Sequence, residues 1–198
     1  MEILIPSRCI VLICGPTCGG KSTLAERIHA EAPWSSKAIH SSDRALDEIY
    51  AKRPELIPYH AYCSAVTPGK VEMPPFLKQM QKDISLLLTE MVESALRQYD
   101  LLIMEEIRLQ PELLLFNLQM LGRMSNNRPV VLIKMLVNDD LCETFYRSRR
   151  NDRQPPLYLV NEQRREFRNI MQYDFSKVCT HLSEYNMTNP QEATLKFI

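Results

Sequence analysis

Two kinds of run share this chain. Short unbroken apolar stretches recur, and between them lie longer segments whose apolar residues return every third or fourth position. The first is the pattern of strands buried on both faces, the second that of amphipathic helices. Cys9-Ile10-Val11-Leu12-Ile13-Cys14 predicts a strand that follows directly on the apolar N-terminus, and Ser22 to Ile28 a helix with Leu24 and Ile28 on one side. Lys37 to Ser41 reads as a second strand, then Ser42-Asp43 as N-caps of a short helix over Arg44 to Ala51. Prolines 54, 58, 68, 74 and 75 with Gly69 mark residues 52–75 as an irregular loop on the substrate side. A long helix follows over Phe76 to Tyr99, then a strand at Leu101-Leu102-Ile103-Met104 ending in Glu105-Glu106. Pro111 opens a helix, Val130 to Val137 is a strand, and helices are predicted from Asp140 into Arg147 and over Val160 to Tyr173. A short strand near Val178 to Leu182 and a helix capped by Asn189 and Glu192 complete the series.

Strands alternating with helices predict an α/β fold: a three-layer sandwich on a mostly parallel sheet of about five strands, with right-handed crossovers. Ligands of such sheets sit beyond the carboxyl ends of the strands. The ends to inspect are Gly15–Ser22, Ser41–Arg44 and Glu105–Arg108, where polar groups follow apolar runs at once.

Gly15-Pro16-Thr17-Cys18-Gly19-Gly20-Lys21-Ser22 fits G-x-x-x-x-G-K-S, the Walker A pattern. It stands between a predicted strand and a predicted helix, as its mechanism requires. Backbone N–H groups of such a turn point inward at the positive end of the helix dipole, a nest for polyphosphate. Gly15 through Ser22, with Thr23, form the candidate cradle for ATP; Lys21 reaches the β/γ-phosphates and Ser22 takes Mg²⁺.

Phosphoryl transfer also needs a base, a metal-side acid and cations. Asp43, after the second strand, is the candidate base, with helix capping as its alternative duty. Glu105 is the candidate strand-end acid for Mg²⁺; Glu106 points the other way if the strand continues. Arg44 and Arg108 are candidate substrate contacts. Seven of the fifteen arginines fall between residues 147 and 168. Arg147, Arg150 and Arg153 predict a lid near 147–158 that lays cations on phosphate, with Arg150 counted as catalytic. Arg164, Arg165 and Arg168 read as surface residues or contacts to an anion.

Composition narrows the classes. At 198 residues the chain suits one domain, 1–198, with one full core. A net charge of zero supplies no global field for nucleic acid or anionic membrane. Six cysteines without C-x-x-C or zinc spacing predict free thiols in a reducing compartment. The N-terminal run has no basic flank and reads as a strand, not a signal peptide; no stretch approaches membrane-span length, so a cytoplasmic location is the default.

With these motifs in place, the chain resembles the small P-loop kinases grouped with polynucleotide 5′-hydroxyl kinases, zeta-type toxins and chloramphenicol phosphotransferase. The matching pieces are Gly15 to Thr23, Ile39-His40-Ser41-Ser42-Asp43-Arg44, Leu102-Ile103-Met104-Glu105 and the Arg147–Arg153 stretch. The resemblance implies a P-loop NTPase fold with an arginine-bearing lid, Asp43 as general base, and γ-phosphate transfer from Mg-ATP to a hydroxyl. The arginine that many polynucleotide kinases place three residues after the aspartate is Leu46 here; Arg44 is adjacent instead. A small hydroxylated acceptor is therefore placed ahead of a nucleic-acid 5′ end. A nucleotide-binding switch without acceptor chemistry is the reading of another class, although no N-K-x-D run for guanine accompanies the loop.

Overall fold

The computed structural model describes residues 2–65, 72–106, 111–124, 128–148, 156–188 and 193–198, with side chains left aside at 63–65, 106, 111–116 and 159. Strands are β1 (Glu2–Ile5), β2 (Ile10–Cys14), β3 (Lys37–Ser41), β4 (Leu101–Glu106), β5 (Val130–Leu136), β6 (His181–Asn186) and β7 (Thr194–Phe197). Helices are α1 (Lys21–Glu31), α2 (Ser42–Lys52), α3 (Ile57–Ala65), α4 (Pro75–Gln98), α5 (Pro111–Met124), α6 (Asp139–Ser148) and α7 (Leu157–Met171). Contacts divide the chain into two compact units, Met1–Ile39 with Gln98–Ile198, and His40–Arg97.

The five-stranded sheet has the order β3-β4-β2-β5-β6. β2 runs parallel to both β4 and β5, with Ile10 opposite Leu102 and Val130, and β5 runs parallel to β6. Every residue of β2 is buried, as are the first six of β5. Burial at consecutive positions means that both faces of these strands are covered, as their unbroken apolar runs require. The core of this unit joins Val11, Ile13, Leu24, Ile28, Ile103 and Ile133. Full burial of such a side chain contributes about 1.5–3 kcal/mol.

Several elements differ from expectation. The apolar N-terminus is two strands: β1 leaves the main sheet and pairs in parallel with β7, Ile3 opposite Leu195 and Ile5 opposite Phe197. A terminal helix was expected where β7 stands. Leu195 and Phe197 alternate with Thr194 and Lys196, a period of two, and both pack on the core. Phe197 meets Trp34 edge-on at 5.5 Å between centroids. β6 lies a few residues beyond the apolar run expected to form it; as the last strand of its sheet it alternates exposure rather than burying all positions.

In the His40–Arg97 unit, the segment expected as loop over 52–75 is largely ordered helix: a 3₁₀ turn at Pro54–Leu56 leads into α3. Pro54 occupies the first turn position and Pro58 the first turn of α3, where a missing N–H costs nothing. Leu56 is buried with Ile49 and Ile84, which gives the segment a core to fold against. Residues 66–71 lie outside the described residues. Ser41, not Ser42 or Asp43, is the N-cap residue of α2, and no side-chain hydrogen bond caps that end.

Candidate active site

The glycine turn closes β2 onto α1. Its geometry demands small residues at three points, among them Gly19, where a Cβ would stand 2.8 Å from the Pro16 carbonyl oxygen. A Cβ on Gly15 would stand 2.7 Å from Met135 Cβ, and Gly20 has φ +81 with Met187 Cε 2.6 Å from where its Cβ would be. Cys18 also adopts a left-handed conformation, φ 60, and the Gly19 N–H donates to the Pro16 carbonyl at 3.0 Å. Lys21 folds back over the turn, its Nζ donating to the carbonyls of Gly15 at 3.1 Å and Pro16 at 2.9 Å. Phosphate oxygens are stronger, charge-assisted acceptors for an ammonium than carbonyls are.

Ser22 and Glu105 are 83 residues apart, and the Ser22 hydroxyl donates to Glu105 Oε2 at 2.6 Å. The parallel pairing of β2 with β4, which sets Ile13 opposite Glu105, brings them together. An alcohol and a carboxylate oxygen form a hard donor pair suited to Mg²⁺, which binds through one or two protein oxygens plus phosphate and water. Among the described residues no group of three or more His, Cys, Asp or Glu is gathered to hold a metal by itself. The residues fit Mg²⁺ that arrives with a nucleotide.

α6 and α7 grip the apex of the turn. The Thr17 hydroxyl donates to Gln163 Oε1 at 2.6 Å, and the Cys142 thiol to the Thr17 carbonyl at 3.2 Å. Burial pushes the Cys142 thiol above its ordinary range, against the pull of Arg164 and Lys21. The described cysteines 9, 14, 18, 142 and 179 are free thiols.

Beside Pro16 opens a cavity of about 330 Å³, floored by the end of β5 and walled by α7 and the residues after β6. One lining residue overturns an expectation. Arg164 is not a surface residue: it is 7% exposed, and its Nη1 donates to the Asp139 carbonyl at 3.1 Å. Val160, Arg164, Phe167 and Met171 recur at helical spacing, and all but Met171 are buried. That stripe was the sequence signal: an arginine in line with an apolar face goes inside with it.

Asp43 and Arg44 are exposed in the first turn of α2, in the second unit. Arg147 is exposed at the end of α6 and paired with Glu143 at 2.6 Å. Arg108, Arg150 and Arg153 lie outside the described residues.

Solved structures share this fold. A structure from the PezAT toxin–antitoxin system of Streptococcus pneumoniae aligns with TM-score 0.55 at 15% identity over 90% of this chain and 66% of that one. Kti12 of Chaetomium thermophilum, in complex with ADP-AlF3, aligns with TM-score 0.51 at 14% identity, over 91% of this chain and 90% of its own. The fold is that of a P-loop NTPase. A shikimate kinase from Acinetobacter baumannii also matches, with TM-score 0.49 at 14% identity, over 88% of this chain and 82% of that one. Neither family models nor curated protein sequences give a match. Among the described residues of this P-loop fold, no helix is long and apolar enough to cross a membrane.

Proposed function

We propose that the protein is a phosphotransferase that moves the γ-phosphoryl group of a Mg-bound nucleoside triphosphate to the hydroxyl of a small molecule. The observation that carries the reading is the 2.6 Å bond from Ser22 to Glu105. It joins the last residue of a phosphate-binding turn to the acid at the end of a neighbouring strand. The Kti12 structure of the same fold holds ADP-AlF3, which supports a nucleotide ligand. ATP is the donor implied by the sequence resemblance; the chemistry at the γ-phosphate is the same whichever base is attached.

The chain's own groups divide the work. N–H groups of the turn and of the first turn of α1 bind phosphate oxygens, and Lys21 exchanges its two carbonyl partners for the β/γ-phosphates. Ser22 and Glu105 would hold Mg²⁺, which would supply neutralisation of phosphate charge there. Asp43 takes the proton of the acceptor hydroxyl as its oxygen attacks phosphorus and the bond to the β-phosphate breaks. Its carboxylate is spent on no helix cap. The lid arginines, Arg150 foremost, add cations during transfer. Zero net charge favours a small acceptor over a nucleic-acid end.

The test is transfer of label from γ-labelled Mg-nucleotide to two acceptor pools, small hydroxylated metabolites and 5′-hydroxyl oligonucleotides, with Lys21→Ala as blank. Label in the metabolite pool that vanishes in the variant supports the reading. Label in the oligonucleotides alone would replace the acceptor class. Nucleotide bound with neither pool labelled would favour a switch without acceptor chemistry.

A further inference from the structure

The cavity beside Pro16 is distinct from the phosphate turn and touches it at that one residue, so a ligand anchored by its phosphates there extends its other end into the cavity. The polar side chains lining it have an unusual balance. Asn138 Oδ1 accepts the Leu141 N–H at 2.7 Å, and Asn186 Oδ1 accepts the Thr188 N–H at 2.9 Å. These backbone donors fix which way each amide faces, with its NH₂ on the side away from the bonded oxygen. Asp139, the one carboxylate among the described lining residues, is engaged by Arg168 Nη2 at 2.6 Å and by Arg164 Nη1 at 3.7 Å. Arg164 Nε and Nη2 are buried with no hydrogen-bond partner among the described residues. They are the two donors on one edge of the guanidinium, the edge that makes bidentate contacts. Orphaned charged donors are costly, and a ligand that supplies acceptors recovers that cost.

We propose that this cavity receives the base of the donor nucleotide and selects a 6-oxopurine, guanine or hypoxanthine, over adenine. The inference rests on the phosphotransferase reading for what is anchored at the turn. Guanine presents two adjacent acceptors, N7 and O6; adenine presents N7 beside an amino donor. Against Arg164 and two asparagine NH₂ groups, the guanine edge pairs donor with acceptor. The adenine edge sets donor against donor. Pro16, Val137 and Phe167 supply apolar wall for the ring faces.

The experiment is equilibrium binding of Mg²⁺ complexes of GTP, ITP, ATP and 7-deaza-GTP to the full chain, with Lys21→Ala alongside. GTP and ITP bind about tenfold or more tighter than ATP, and 7-deaza-GTP, which lacks the N7 acceptor, loses a large part of that advantage. Arg164→Met brings the GTP to ATP ratio toward one. If that variant does not fold, the ITP and 7-deaza-GTP arms decide without it. ATP equal to or tighter than GTP overturns the base selection and leaves the phosphotransferase reading standing. Tight GTP with weak ITP also overturns it, because the 2-amino group would then be what is read. Wild-type binding of all four no tighter than that of Lys21→Ala overturns the phosphate-turn reading and this inference with it.

Discussion

Two carboxylates, Glu105 beside the Ser22 hydroxyl and Asp43 in the first turn of α2, make separable predictions. Glu105→Gln keeps a hydrogen-bond acceptor beside Ser22 but removes the charge. The Mg²⁺ concentration for half-maximal transfer should rise several-fold, with a smaller loss at saturating Mg²⁺; an unchanged Mg²⁺ curve would take Glu105 away from the metal. Asp43→Asn should lower turnover by about 10²–10⁴-fold while nucleotide affinity, read by calorimetry, stays near wild type. Equal turnover would return Asp43 to a structural role. At this scale the placement of Ser22 after the turn and of Glu105 at a strand end was legible in the sequence, because a motif and a strand end fix both positions independently of packing. Arg164 was not. Its type argues for the surface, and only its register with Val160, Phe167 and Met171 argues for the interior.

Among elements, α7 shows how much one buried lysine can organise. Lys134 on β5 is 3% exposed. Its Nζ donates to the carbonyls of Tyr173 at 2.9 Å and Met171 at 3.4 Å, and sits 5.2 Å from the Phe175 ring centroid. It answers carbonyls that the helix end leaves open. Lys134→Met fills similar space but strands them, and should cost about 1–3 kcal/mol, seen as a lower urea midpoint at unchanged m-value. No shift of the midpoint would mean that water replaces the ammonium freely. α7 also carries Gln163, bonded to Thr17, and Arg164, so a loosened α7 should weaken nucleotide binding as well. The elements legible in advance were those with long apolar runs or strong periodicity: β2, β4, β5, α1 and α4. β6 and β7 were misread because they alternate over few residues, and their pairing is set by strands far away in sequence. The 54–65 helices were hidden by prolines that sit in first turns rather than interiors.

For the whole molecule, the cysteines set a limit on alkaline stability. Burial raises the Cys9 thiol from 9.0 to about 12, and raises Cys142 and Cys179 as well. The unfolded chain releases these protons near pH 9, while the folded chain holds them longer. Between those points the unfolded state binds fewer protons, so stability is full below about pH 9 and declines as pH rises toward 12. Thermal melts from pH 7.5 to 10.5 should show Tm level and then falling, and Cys9→Val should reduce the slope. An identical slope in the variant would remove Cys9 as a cause. The class of the fold was legible at this scale from alternation of strand and helix alone. The pairing of β1 with β7 was not, since no local pattern links residues at opposite ends of a sequence.

That pairing has a consequence in time. Ile3 and Ile5 are both fully buried, and the strand that hydrogen-bonds β1 is Thr194–Phe197. At ribosomal rates of about 5–20 residues per second, β1 waits on the order of 10–40 s for its partner to be made. Throughout synthesis two isoleucines and an open strand edge stand ready for any extended neighbour, another nascent copy included. A chaperone that holds β1 as it emerges should therefore raise the yield of folded protein, and deleting residues 194–198 should leave that exposure permanent.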